Sequence, residues 1–231
     1  MSWFSTGDDA EKKLKEESKR QEEAKKERAK NNIRRWWMRP TEGDEGSFVT
    51  FLDADKHPDG YKMPFAITEH QLYRNGHWRN WYTCIDGEPD PDTGEPMVCP
   101  LCKSGDKPYY AEAYTIINES EWTDKKDQVH VNEINMFVCK TAVAKQIGKA
   151  RRKRKGLRGW RVEITRTGSD APNTGDVFEF DTEIIDPGDD KQPLDYPKIF
   201  APRALQELQD IVEGNVPDDA TVGADDDKVR F

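Results

Sequence analysis

The sequence predicts a mainly β domain, and three observations carry that prediction. Short stretches of alternating apolar and polar residues recur along the chain, each bounded by Gly, Pro, Asp or Asn, as strands are. A single longer stretch, Thr141 to Arg154, has helical composition and falls just before the last pair of alternating runs. A polar segment between the second and third runs carries a cysteine knuckle, Cys99-Pro100-Leu101-Cys102.

In chain order, strands are predicted over Ser47 to Leu52, Met63 to Leu72, Tyr110 to Asn118, Ile134 to Lys140, Trp160 to Thr167 and Val177 to Glu183. About five or six short strands, long loops and one connecting helix fit a small closed or partly open Greek-key barrel, the OB-fold, better than a parallel α/β sheet. After Pro187 the chain turns polar and Pro-rich. Pro202 to Glu213 then sets Leu205, Leu208, Ile211 and Val212 at helical spacing, which predicts a short amphipathic helix docked on the domain.

Both ends differ from this core. Glu11 to Asn31 is nearly devoid of apolar residues but rich in helix formers, with Glu11/Lys15, Glu16/Arg20 and Glu22/Lys26 spaced as i,i+4 pairs. A helix there has no apolar stripe to bury, so residues 1–32 are predicted to form a charged helical arm. Residues 33–213 form the predicted core, and the acidic composition of 214–231 predicts a disordered tail. A chain of 231 residues, 34% hydrophobic and 35% charged, suits one such core with charged extensions. No run approaches the roughly 20 apolar residues of a membrane span, and the first residues lack an apolar leader core. A soluble, intracellular protein is expected.

In such a compartment four cysteines are read as metal ligands before disulfides. The knuckle lets Cys99 and Cys102 approach one tetrahedral ion from a tight turn, and Cys84 lies upstream. The fourth ligand is open among His70, His77 and Cys139; His70 is favoured because Cys139 sits in the apolar run Met136-Phe137-Val138-Cys139, where a buried thiol is ordinary. One closed structural Zn2+ site is expected, giving the barrel a zinc-stabilised insertion. No HExxH, no HxE before the knuckle, no GxxxxGK[ST] and no GxSxG occurs, so the chain reads as a binder and not as an enzyme.

The net charge of -9 argues against a phosphate partner until its distribution is considered. Basic residues concentrate in Lys12 to Arg39 and Lys140 to Arg161, acids in Asp86 to Glu95, Asp181 to Asp195 and Asp218 to Asp227. Cations interleave with aromatics in three places: Arg34, Arg35, Trp36, Trp37 and Arg39; Arg74, Trp78, Arg79 and Trp81; and Lys145, Lys149, Arg151, Arg152, Lys153, Arg154, Arg158 and Trp160. Tyr109, Tyr110 and Tyr114 add rings on a predicted strand. Stacking on rings beside cations that follow a backbone is how single strands are held without regard to sequence. Trp36 and Trp37, adjacent on a strand, face opposite sides, so one of them is core. The run from Lys149 to Lys155 is read as a phosphate track, with a localisation signal as the bland alternative.

The order His70, Cys84, Cys99, Cys102, followed by the tyrosine-rich Tyr109 to Tyr114, resembles the zinc-containing single-stranded DNA-binding proteins of T4-like and related tailed phages. The acidic tail, with Asp225, Asp226 and Asp227 leading to a terminal Phe231, is similar to the Phe-ended tails of T7-like phage and bacterial single-strand binders. The resemblance implies an OB-fold, ligation by the four residues just named, and protection of single-stranded DNA in phage replication, recombination and repair in the host cytoplasm. It further implies that the tail recruits replication and recombination proteins and competes with DNA, and that the N-terminal region supports self-association along the strand. The alternative is a zinc-containing transcription or recombination accessory factor binding duplex DNA or RNA.

Overall fold

A computed structural model describes residues 33–38, 46–74, 77–90, 93–123, 127 and 129–214. The chain divides into two compact units, Met1–Ile33 and Arg34–Phe231. Of the first, only Ile33 is among the described residues. The predicted arm, Arg39, and the predicted tail beyond Gly214 all lie outside them.

The described part of the second unit is mainly β. Its strands are β1 (Ser47–Phe51), β2 (Phe65–Arg74), β3 (His77–Thr83), β4 (Tyr109–Asn118), β5 (Trp122–Thr123), β6 (Val129–His130), β7 (Glu133–Lys140), β8 (Trp160–Thr165) and β9 (Val177–Ile184). The helices are α1 (Pro100–Lys103), α2 (Thr141–Arg154), α3 (Tyr196–Ile199) and α4 (Leu205–Glu213). None is long and apolar enough to cross a membrane.

An antiparallel sheet of seven strands organises the unit, in the order β3-β2-β4-β1-β8-β9 with β7 also paired to β4; β5 and β6 form a separate pair. The strand path does not close on itself. At its centre β4 is buried on both faces, continuously from Ala113 to Asn118. One edge of β4 is taken by β7, with Ala111 opposite Lys140 and Asn118 opposite Glu133. The other edge is shared: β2 pairs with Tyr109 to Ala113, and β1 with Ile116 to Asn118. Six of the predicted strands thus appear within a few residues of their predicted positions. β3 was read only as a nucleic-acid surface, and β5 and β6 carry too few residues to leave a periodic signal.

An aromatic core fills the space over the sheet. Phe51 lies 5.7 Å from Tyr114, 5.8 Å from Phe137 and 6.4 Å from Phe180, and α2 lays Val143, Ala144 and Ile147 onto the same interior. The segment Arg34 to Met38 runs along β7: Trp36 N–H donates to the Met136 carbonyl (2.8 Å), Met136 N–H to that of Arg34 (2.9 Å), and Met38 N–H to that of Asn173 (2.7 Å). It therefore joins β7 to the loop between β8 and β9. That loop turns at Gly175 (φ 77°), where any side chain would strike Ile164.

A polar tie holds the long segment before α3. The carboxylate of Asp53, 2% exposed, accepts from Thr115 N–H (2.6 Å) and from the Tyr196 hydroxyl (2.9 Å). Thr115 Oγ1 lies 2.7 Å from that hydroxyl and accepts from Leu194 N–H (2.9 Å). Burial pushes the Asp53 pKa up from 3.8 to about 7, against the pull of these bonds and of Arg158.

Candidate metal centre and binding cleft

The β2–β3 hairpin presents two faces, because successive side chains on a strand alternate. On one face stand His70, Leu72 and Tyr82; on the other Glu69, Gln71 and Trp81. The first face contributes to a cluster of groups that could hold a metal ion, the second to the wall of a cleft.

On the first face His70 meets Cys84, which follows β3, and Cys99 and Cys102, at the cap and within α1. Cys99 Sγ lies 3.5 Å and Cys102 Sγ 3.6 Å from His70 Nε2, and Cys84 Sγ is 3.6 Å from Cys102 Sγ. All four ligand atoms fall within 4.8 Å of one another. A sulfur separation of 3.6 Å is far beyond a disulfide, about 2.05 Å. It matches the edge of a tetrahedron whose arms are about 2.0–2.3 Å, the lengths of metal–nitrogen and metal–sulfur bonds. The residues present therefore fit a metal ion. Burial, followed by the neighbouring thiols, pushes Cys102 up to about 12, and burial raises Cys84 against the pull of its bonds to Asp86 and Cys102. A cation is what would let these thiols ionise together.

The surroundings fix the ligands. His70, fully buried, places Nδ1 2.5 Å from the Asp106 carboxylate, which directs Nε2 toward the sulfurs. Asp86 accepts from the Cys99 N–H (3.1 Å). Tyr82, Ile85 and Leu101 surround the centre, and α4 packs Leu208 and Ile211 into the same cluster. Of the alternatives for the fourth ligand, Cys139 lies apart on β7, opposite Glu112 and fully buried. The His77 side chain is outside the described residues. Asp106 escaped the sequence analysis, since an acid in the turn Ser104-Gly105-Asp106-Lys107 looks like any solvated one.

The chain matches no protein family and no curated protein.

On the hairpin's second face lies a cleft of about 230 Å³, bounded by Arg35 and Trp37, by Glu69, Gln71 and Trp81, by Tyr109, by Val138 and Lys140, and by Pro172 to Thr174 of the β8–β9 loop. Trp37 and Trp81 rings are 5.2 Å apart and tilted by 41°. Arg35 lies 4.2 Å over Trp81 while its guanidinium forks onto the buried Glu69 carboxylate at 2.9 and 2.5 Å. Tyr109 donates to Glu69 (2.8 Å), and Lys140 Nζ sits 4.0 Å over the Tyr109 ring. Burial first, and the Glu69 charge second, keep the Tyr109 hydroxyl protonated. Glu69 thus holds Arg35 and Tyr109 in fixed orientations, and the cleft presents rings beside two cations.

The other sequence-predicted residues are placed as follows. Trp36 is buried against Phe137 (5.7 Å); it and Trp37 both border the cleft, where Trp37 lies 5.2 Å from Trp81. Arg34 pairs through its backbone with Met136. Tyr114 is fully buried and donates to Glu112, so its ring is core; Tyr110, on the surface, donates to the same carboxylate. Trp78 is exposed at the hairpin tip, and the side chains of Arg74 and Arg79 are outside the described residues. Along α2, Arg151 pairs with Asp55 (2.8 Å), and Arg154 lies between the Trp160 and Phe180 rings at 4.7 and 4.2 Å. Arg158 donates to the carbonyls of Leu52, Gly188 and Lys191. Lys145, Lys149, Arg152 and Lys153 remain exposed. Asp225, Asp226, Asp227 and Phe231 lie outside the described residues, as does Arg39. Lys140, Glu69 and Gln71 were missed: Lys140 ends an apolar strand, and Glu69 and Gln71 flank His70 in a polar run where an alternating face is not apparent.

Proposed function

We propose that this chain is a sequence-independent single-stranded DNA-binding protein with an OB-fold core and one structural zinc, acting in phage DNA replication, recombination and repair. The observation that carries the proposal is the cleft, where Trp37, Trp81 and Tyr109 stand beside Arg35 and Lys140. Bases stack on rings whatever their identity, and cations follow the phosphates.

The OB-fold reading rests on five strands, β1, β4, β7, β8 and β9, with α2 between the third and fourth, as in a five-stranded Greek-key barrel. Four of the five neighbour pairs of such a barrel are hydrogen-bonded: β1–β4, β4–β7, β1–β8 and β8–β9. For the fifth, β7 toward β9, Phe137 and Phe178 approach to 6.3 Å and the segment Arg34 to Met38 bridges toward the β8–β9 loop. In this reading β2, β3 and α1 are an insertion between the first two barrel strands, and the cleft lies where the insertion meets the loop between the last two. Zinc is the ion that suits three thiolates and one imidazole in a closed tetrahedral site. It would be held by His70, Cys84, Cys99 and Cys102 and supplies structure only.

The test is a tryptophan-fluorescence titration with oligothymidylate and with matched duplex, each at low and moderate salt. Quenching by the single strand that exceeds the duplex response and weakens with salt is the expected result. Equal or greater duplex affinity would overturn the proposal and favour a duplex-DNA or RNA accessory factor.

A further inference from the structure

The cleft wall continues outward along the β2–β3 hairpin, and there it carries an unburied aromatic pair. On β2, Glu69, Gln71 and Tyr73 share one face by strict alternation. On β3 the pairing shifts between Leu72 opposite Asn80 and Arg74 opposite His77, which sets three residue steps of β3 against two of β2. This irregularity brings Trp78 to the side of Tyr73, with ring centroids 5.2 Å apart and planes tilted by 52°. The Gln71 side-chain amide donates to the Trp78 carbonyl (2.9 Å) and holds the bulge. Tyr73 is 58% and Trp78 59% exposed, so two large rings stand side by side in solvent. From Gln71, in the cleft, to Tyr73 is about 7 Å along the strand, the order of one step of an extended nucleotide chain. The stretch from Gln71 to Ile85 contains no acidic residue, in a chain with 45 of them, and includes Arg74 and Arg79. Such a surface suits a polyanion that carries flat bases.

We propose that Tyr73 and Trp78 form a second base-stacking site for single-stranded nucleic acid, separate from the cleft and continuous with it, so that a bound strand leaves the cleft along the hairpin toward its tip. This rests on the cleft binding single strands. The bulge supplies the geometry: a regular strand would carry residues 79 and 81 on the cleft face and turn residue 78 away.

Equilibrium binding of the full chain to two labelled oligothymidylates, about four and about twelve nucleotides long, tests the site. Tyr73→Ala and Trp78→Ala are expected to weaken binding of the longer strand about five-fold or more, and to change binding of the shorter strand less than about two-fold. Trp78→Phe should restore most of the loss, and Trp81→Ala should weaken both lengths. Unchanged affinity of both tip variants for the longer strand, or an equal loss on both lengths, overturns the tip site alone. A parent chain without affinity for either strand overturns the cleft reading and the tip with it. If the variants alter only sedimentation of the free chain, the pair serves contact between copies and the proposal fails.

Discussion

Asp53 is a carboxyl group whose proton affinity is set by burial, and stability should follow its titration. Its pKa is 3.8 in the reference state and about 7 in the fold. Between those values the folded chain holds a proton that the unfolded chain has released. The stabilisation is therefore complete below about pH 4 and is lost as pH rises through about 7. Chemical denaturation of the parent and of Asp53→Asn across this range should show a declining difference in stability; a pH-independent difference would disprove the assignment. Asp106 makes a second residue-scale prediction. Asp106→Asn keeps the shape beside His70 Nδ1 but removes the charge, and should weaken metal affinity about 10- to 100-fold in a competition with a chromophoric chelator. An unchanged affinity would mean that the histidine is oriented without it.

At the scale of elements, the metal centre and α4 share one small core. Leu208 and Ile211 pack with Cys84, Cys99 and Leu101, and few other buried groups stand behind them. Chelation, or Cys99→Ser, should therefore raise hydrogen exchange in α4 and in the β2–β3 hairpin well before β7 to β9 respond, with the metal content measured by elemental analysis falling in step. Uniform exchange throughout would show that the ion stabilises the whole sheet. These elements were unequally legible in sequence. The bounds of α2 were readable because its helical composition ends at a basic last turn, where Lys155 takes a left-handed cap (φ 56°) and cations suit the helix dipole. The basic run splits in the fold in a way its composition does not show: Arg151 pairs with Asp55 and Arg154 lies against two rings, while Lys149, Arg152 and Lys153 stay exposed. In β3, the ring-and-cation pattern from Trp78 to Tyr82 concealed a strand that serves the metal core with Tyr82 and the cleft with Trp81. The cysteine spacing pointed to residues that the fold brings together, but Asp106 becomes visible only once the turn is folded.

For the whole molecule, the segment Arg34 to Met38 decides where the folded unit begins. Trp36 is 5% and Met38 7% exposed, and their backbone joins β7 to the β8–β9 loop. Trp36→Ala should cost about 3–5 kcal/mol of stability, measured by denaturant titration. A chain starting at residue 33 should melt as a cooperative unit, and one starting at residue 39 should not. Comparable melting of the two truncations would show that the segment is only an appendage. Strand order and pairing, unlike strand position, were hard to read: alternation locates strands, but it does not reveal that β4 accepts two partners along one edge.

The hairpin also imposes a rule of parity. Because His70 points to the cysteine sulfurs and its neighbours Glu69 and Gln71 to the cleft, the two sites are printed on even and odd positions of one strand. A single residue inserted into β2 between the two ends of its pairing would exchange the faces, sending a carboxylate toward the sulfurs and an imidazole toward the cleft. A two-residue insertion would keep the faces and merely lengthen the ribbon. Substitutions can tune either face independently, whereas a change in length that keeps the pleat regular must come in pairs, and a single extra residue has to be absorbed by a bulge, as it is between Asn80 and His77.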